Sequence, residues 1–157
     1  MSKKSLLARN NDLANTKRQL DILSNGQFAD GELPTFAKKI KETNQFPLRP
    51  KKLEILQINV GYMCNQVCAH CHVDAGPDRK EIMTKETMQY CLDVIKKTEA
   101  RTLDLTGGAP EMNPNFRWFV EEAAKVGIKD FIVRSNLTII RANKKFYDLP
   151  KFFKKHK

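Results

Sequence analysis

The sequence predicts an α/β fold built on a parallel sheet, and three observations lead there. From residue 53 onward, short apolar runs alternate with amphipathic helical stretches in a repeated strand–loop–helix order. Each run ends in glycine or a polar pair, which places the loops able to carry chemistry at the same ends of the strands. The residues ahead of 53 lack this alternation and read as a mainly helical or irregular N-terminal extension. The division is therefore residues 1–52 as an extension and 53–157 as three βα units.

Within the extension, Asp12 to Leu23 is polar and weakly helical, with Leu13, Leu20 and Leu23 at helix-compatible spacing before the Asn25-Gly26 turn. A second short helix from Thr35 to Lys41 follows Pro34, and prolines hold Phe46 to Pro50 extended. Leu53 to Val60 is mostly apolar and carries β-branched residues, a buried strand ended by Gly61. A cysteine-bearing loop runs to Gly76-Pro77. Thr84 then caps a helix reaching about Lys97, with Met88, Cys91, Leu92 and Ile95 on one face. Thr102 to Thr106 is the second strand, ending in Gly107-Gly108. Asn113-Pro114 opens the next helix, whose Phe116, Phe119, Val120 and Ala123 face inward and whose end is marked by Gly127. Asp130 to Ser135 is the third strand, and Lys144 to Lys155 forms a third helix around Pro150. Strands alternating with helices imply parallel pairing. The cysteine loop, the Gly107-Gly108 turn and Ser135-Asn136 then share one rim.

A chain of 157 residues with 41% apolar and 29% charged content suits one compact domain. Its apolar runs are only a handful of residues, whereas a membrane span needs about 20. No secretory signal is visible at the N-terminus, so the chain reads as cytoplasmic. The formal net charge of +10 invites a nucleic-acid reading, but the charge is unevenly placed. Residues 1–52 carry 11 basic and 5 acidic groups, residues 141–157 carry 7 and 1, and residues 53–140 carry 10 and 12. The positive charge lies in the flanks, away from the cysteines.

Cys64, Cys68 and Cys71 form a C-x3-C-x2-C motif, with Cys91 twenty residues on. In a cytosolic chain such thiols read as a metal or cluster site rather than a disulfide framework. A structural zinc wants four protein ligands, which His70, His72 or Cys91 could complete. Three thiolates on one short loop instead suit a cubane iron–sulfur cluster with one iron left open for a small molecule bearing an amine and a carboxylate. The rival from another class is a small zinc-stabilised, basic nucleic-acid-binding module. Against it, no paired C-x2-C knuckle or recognition helix is present. Cys91 reads as a small buried hydrophobe, and His72 as a loop residue or a support behind the ligands. Met83, Met88, Met112, Phe116, Trp118 and Phe119 read as packing, and the lysines from Lys144 to Lys157 as a solvated face.

The cysteine spacing after a first strand resembles the radical S-adenosylmethionine (SAM) superfamily, whose fold is a partial (βα)6 barrel. The resemblance implies a [4Fe–4S] cluster on Cys64, Cys68 and Cys71, with SAM chelating the open iron through its methionyl amine and carboxylate. One electron then cleaves the sulfonium to methionine and a 5′-deoxyadenosyl radical. Thr106-Gly107-Gly108-Ala109-Pro110-Glu111 resembles the family's Gly-Gly-Glu-Pro turn, which holds the SAM amino group. Ala109 departs from the Glu of that turn, leaving the backbone carbonyls to serve, with Glu111 nearby. Ser135 and Asn136, after Arg134, stand where members place polar groups near the SAM ribose and carboxylate. His70 replaces the aromatic that packs beside adenine.

Longer strings narrow the likeness: Leu56 to Gly61, Cys64 to Pro77, Leu103 to Glu111, and Arg134 to Thr138. Together they resemble the radical SAM/Cys-rich-domain proteins associated with arsenosugar biosynthesis, over roughly residues 48–157. That likeness implies joining of the deoxyadenosyl group to a methylated arsenic species, with electrons from a flavodoxin- or ferredoxin-type donor. The lysine-rich segment at residues 141–157 is a candidate dock for an acidic donor. The family barrel has six βα units and a Cys-rich C-terminal domain, whereas this chain holds three units and reads as a truncated or fragmentary product.

Overall fold

The structure is a computed structural model that describes residues 4–11, 14–25, 27–28, 31–32 and 34–156. The extension holds helix α1 (Thr16–Asn25), a minimal antiparallel pair β1 (Gln27–Phe28) and β2 (Gly31–Glu32), and helix α2 (Phe36–Glu42). Thr35 caps α2 by accepting from the Lys38 N–H, as its hydroxyl and extended backbone favour. The first expected helix thus begins later than Asp12, and Asp12, Leu13 and Gly26 lie outside the described residues, as does Lys157. Two-residue strands carry too little pattern to be read in advance.

The three alternating units are present. Strands β3 (Ile55–Asn59), β4 (Thr102–Thr106) and β5 (Asp130–Val133) form a parallel sheet in the order β3-β4-β5. Ile55 pairs with Thr102, and Thr102 in turn with Asp130, so the strands run nearly level. Helix α3 (Lys85–Lys97) starts at Thr84, whose hydroxyl accepts from the Thr87 N–H. Glu86 in its first turn and Lys96 and Lys97 in its last complement the helix dipole. Helix α4 (Phe116–Lys125) follows a 3-10 turn at Pro110–Met112.

Alternation along the strands sorts the two faces. Ile58, Val60, Leu103 and Leu105 point into a core with Met88, Leu92 and Ile95 of α3 and Phe116, Phe119, Val120 and Ala123 of α4. Cys91 packs partly against this core, as expected of a small hydrophobe. On the opposite face Ile55 and Ile132 are exposed, while Asp104 is buried beneath Arg134 and Gln57.

Three boundaries differ from expectation. The first strand is shorter than Leu53 to Val60, and the third ends at Val133 because the chain turns there, Ser135 N–H bonding back to the Val133 carbonyl. A helix the sequence reading missed, α5 (Ile139–Ala142), precedes a 3-10 turn at Lys144–Phe146, and α6 spans Leu149–Lys155. The single helix expected from Lys144 to Lys155 is therefore two pieces, with Pro150 in the first turn of α6, where its missing N–H costs nothing. Among the described residues these three strands form an open parallel sheet, consistent with the first units of a partial (βα)6 fold but too few to close a barrel.

Candidate active site

Residues 61–83 leave the end of β3 as a long loop stitched at its base. Gly61 adopts φ 135°, and a Cβ there would collide with the Glu81 backbone. The Tyr62 N–H donates to the Glu81 carbonyl (2.8 Å), Met83 N–H to Val60 (3.0 Å), Gly76 N–H to Tyr62 (3.1 Å) and Cys64 N–H to Gly76 (3.2 Å). These bonds close residues 64–76 into a small ring-like excursion that carries all three clustered cysteines. Buried Asn113 braces the same base from below, its amide donating to the carbonyls of Val60 (2.9 Å) and Met83 (3.0 Å).

The Gly107-Gly108 turn is seated directly on this excursion. Gly107 has φ 131°, and its absent Cβ would occupy the space of the Gly61 carbonyl oxygen. A Cβ on Gly108 would likewise meet the Met63 carbonyl. The Gly108 and Ala109 N–H groups donate to the carbonyls of Gly61 and Met63, each at 2.9 Å. Both glycines are thus required by backbone meeting backbone, a reason independent of any ligand. Ala109 packs with Cys64 and Ala75, and half-buried Cys71 lies against the same cluster. A larger side chain at 109 would have to displace that packing.

All four cysteines are free; Cys64 is buried, whereas Cys68 and Cys71 are half-buried. The Cys64 sulfur accepts from the Gln66 N–H and the Asn136 amide, both at 3.5 Å, and the Cys71 sulfur from the Ala75 N–H at 3.3 Å. Burial pushes the Cys64 thiol above its ordinary value, and the neighbouring Cys68 and Cys71 push it the same way; only the Gln66 and Asn136 hydrogen bonds oppose them. A bound cation would reverse that penalty. Among the described residues, no three His, Cys, Asp or Glu side chains are gathered as a ready-made metal cage. The donor set nonetheless fits an iron–sulfur cluster: three thiols on one loop, two of them already receiving N–H···S bonds.

The third strand's exit joins the same rim. Asn136 bonds to the Cys64 sulfur and to Asn65 Oδ1 (3.1 Å), and Asn65 reaches Thr138 (2.8 Å). Ser135 donates its hydroxyl to Glu111 Oε1 and accepts from the Leu137 N–H (3.0 Å). Glu111 is 4% exposed, and its Oε2 is buried without a hydrogen-bond partner. Such an orphaned acceptor suits a ligand bearing an N–H or a cation. His70 and His72 are exposed on the loop. Cys91 packs with the main core, away from the cluster of Cys64, Ala75 and Ala109.

The structure thus brings Cys64, Cys68, Cys71, Gly107, Gly108, Ala109, Ser135 and Asn136 to one rim, with His70 exposed on the same loop. Sequence reasoning missed the polar frame of the loop. Arg79, 12% exposed in its side chain, donates to the Asp74 carboxylate (2.9 Å) and backbone carbonyl (2.6 Å), pairs with Glu81 (2.9 Å), and lies over the Tyr62 ring. The Arg79 hydrogen bond holds the Glu81 carboxyl down at about 2. On the exposed sheet face, Arg134 holds the Asp104 carboxyl below its usual range through bonds of 2.8–3.2 Å, with Gln57 donating as well (2.7 Å).

No protein-family model matches the chain. It is similar to curated relatives named probable GTP 3′,8-cyclase. The Sulfolobus acidocaldarius protein is 26% identical over 86 residues, 55% of this chain and 28% of the relative. The Sulfurisphaera tokodaii protein is 24% identical over the same shares. A Saccharolobus islandicus protein is 25% identical over 91 residues, 58% of this chain and 30% of its own length. The chain therefore spans under a third of the relatives it matches. GTP 3′,8-cyclases are radical SAM enzymes using a [4Fe–4S] cluster and SAM, so the similarity supports that superfamily and those cofactors; it does not reach the arsenosugar subfamily, and it gives no support to the zinc-module alternative.

Proposed function

We propose that this chain is the cluster- and SAM-binding part of a radical SAM enzyme whose radical serves adenosyl transfer to a methylated arsenic species. The observation that carries the first half is the C-x3-C-x2-C loop at the end of β3, with the Gly107-Gly108 turn and Asn136 packed against it. The arsenic half rests on the four longer strings that resemble the arsenosugar subfamily. The relatives' name refers to GTP, but the similarity covers too little of them to bring that substrate here.

Cys64, Cys68 and Cys71 would hold the cluster. When bound, cluster and SAM supply one-electron cleavage of the sulfonium to methionine and a 5′-deoxyadenosyl radical, the electron coming from a flavodoxin- or ferredoxin-type donor. The protein's share is placement. Gly107, Gly108, Ala109 and Pro110 would receive the methionyl end through backbone groups held by Gly61 and Met63. The unpartnered Glu111 oxygen beside Ser135 offers a buried acceptor suited to an ammonium. Asn136 steadies the most buried thiol, and exposed His70 would pack beside the adenine.

Anaerobic reconstitution followed by low-temperature electron paramagnetic resonance tests this reading. A reduced [4Fe–4S] signal that changes when SAM is added supports it. A colourless protein that takes up zinc and no acid-labile sulfide overturns it. Failure of the full-length protein to couple adenosine to a dimethylated arsenical would remove the arsenic half alone.

A further inference from the structure

Near the start of the chain, two residues are buried where a free tail would be solvated. Ser5 is 1% exposed and Leu6 4% exposed, and their contacts lie some seventy residues away in the cysteine loop. Ser5 donates its N–H (3.0 Å) and hydroxyl (2.8 Å) to the two oxygens of Asp78. The Leu6 and Leu7 N–H groups, at the opening of a 3-10 turn over Leu7–Arg9, donate to the two oxygens of Asp74. Asp74 thus acts as a cap for that turn in trans, satisfying N–H groups that have no partner within it. Ser5 also rests on Gly76, where even an added Cβ would crowd it.

Asp74 is held from the other side as well. It sits at φ 49°, in the left-handed region that aspartate enters more readily than most residues. Its N–H donates to the Cys71 carbonyl (3.1 Å), and the next N–H, of Ala75, donates to the Cys71 sulfur. Arg79 grips both its carbonyl and its carboxylate. The tail is therefore bonded to the Asp74 carboxylate, Asp74 to the Cys71 carbonyl, and the adjoining Ala75 N–H to the Cys71 sulfur.

We propose that residues 5–9 form a clasp acting through Asp74, a positioning residue that fixes the Cys71 arm of the loop in the geometry that receives the cluster. The cluster part of this inference rests on the function proposed above; the clasp itself does not. It gives the N-terminal extension a role in the site, as a brace that orders a loop otherwise held by few apolar contacts.

Two variants test it: deletion of residues 1–11, and Asp74→Asn, which keeps the shape but turns one acceptor into a donor facing an N–H. The first readout is hydrogen exchange of the cluster-free chain. Amides of residues 62–76 should exchange about tenfold faster in both variants, while those of β3, β4 and β5 stay at the wild-type rate. The second readout is the rate at which reconstituted protein loses iron to a chelator, which should rise severalfold in both. Unchanged loop exchange in both variants overturns the clasp, and so does acceleration spread equally over the sheet. Should wild-type protein take up no cluster, the functional reading fails while the exchange experiment still decides the clasp.

Discussion

The sheet with its helices and the cysteine loop are held together by different physics, although they meet at Gly61 and Gly107. The core relies on apolar area: Phe116, Phe119, Met88, Leu103 and Leu105 are all at most 1% exposed and touch across β4, α3 and α4. Among the described residues the loop's buried apolar cluster is small, Cys64 and Ala75 with Ala109 of the adjoining turn, and the loop depends on hydrogen bonds donated by Arg79 to Asp74, by Asn113 and by Asn136. An apolar core tolerates chemistry poorly but holds its shape unaided. A polar loop can rearrange by breaking a few bonds of about 1 kcal/mol each, which suits a site that must admit a cluster. The two should therefore respond separately to substitution.

The largest separation is expected for Cys68→Ala. Iron and sulfide uptake should fall to background, while thermal melting of the apo chain stays near wild type, because the half-buried Cys68 is no part of the core. A large loss of melting temperature would show that loop and core are one unit. The reverse experiment is Phe119→Ala, which removes a side chain with 0% exposure. It should destabilise the fold by about 3–5 kcal/mol in urea titration. A cost under about 1 kcal/mol would mean that the core is loosely packed there.

Gly107→Ala probes the seam between the regions. A Cβ at φ 131° facing the Gly61 carbonyl should cost about 1–3 kcal/mol and also weaken cluster retention, since the cysteine excursion starts at that contact. Loss of stability with normal iron retention would separate the seam from the site.

Acid should loosen the loop through Glu81. Its folded value is held at about 2, below the 4.5 of an unpaired glutamate, so its contribution is complete above 4.5 and disappears as pH falls toward 2. Loop amides, followed by exchange and corrected for the intrinsic rate, should gain freedom over that window in wild type but not in Glu81→Gln. The smallest effect concerns the lysine-rich segment at residues 141–157. If it docks an acidic electron donor, the reduction rate should fall as ionic strength rises from about 0.05 to 0.5 M. A flat profile would remove the segment from donor binding.

How much was legible follows from the same contrast. Thr84 and the spacing of Met88, Leu92 and Ile95 announced α3 to the residue, because a cap and a 3.6-residue period are written locally. The motif cysteines and the Gly107-Gly108 turn were legible for the same reason. Glycine's role at 107 and 108 was read as access for a ligand, whereas the neighbouring backbone already demands it. The helix at Ile139–Ala142 went unread because four residues show no period. Asp104 meets Arg134 from a neighbouring strand and Asn113 reaches the Val60 and Met83 carbonyls across the fold, while the Asp74–Arg79–Glu81 pairing, though it spans only seven residues, follows no period that a sequence pattern shows.

Residue order alone therefore determined the alternation of strand and helix, the apolar faces that pack them, and a thiol-bearing loop at the end of the first strand. Those properties depend on spacing within about a dozen residues, where backbone geometry turns sequence directly into shape. Tertiary structure decided that Ser5 and Leu6 cap onto Asp74 and Asp78, that Asn136 reaches the Cys64 sulfur, and that Glu111 keeps one buried oxygen unpaired. Hydrogen bonds between residues 67 to 73 positions apart are invisible to periodicity, because only chain closure brings donor and acceptor within 3 Å of each other.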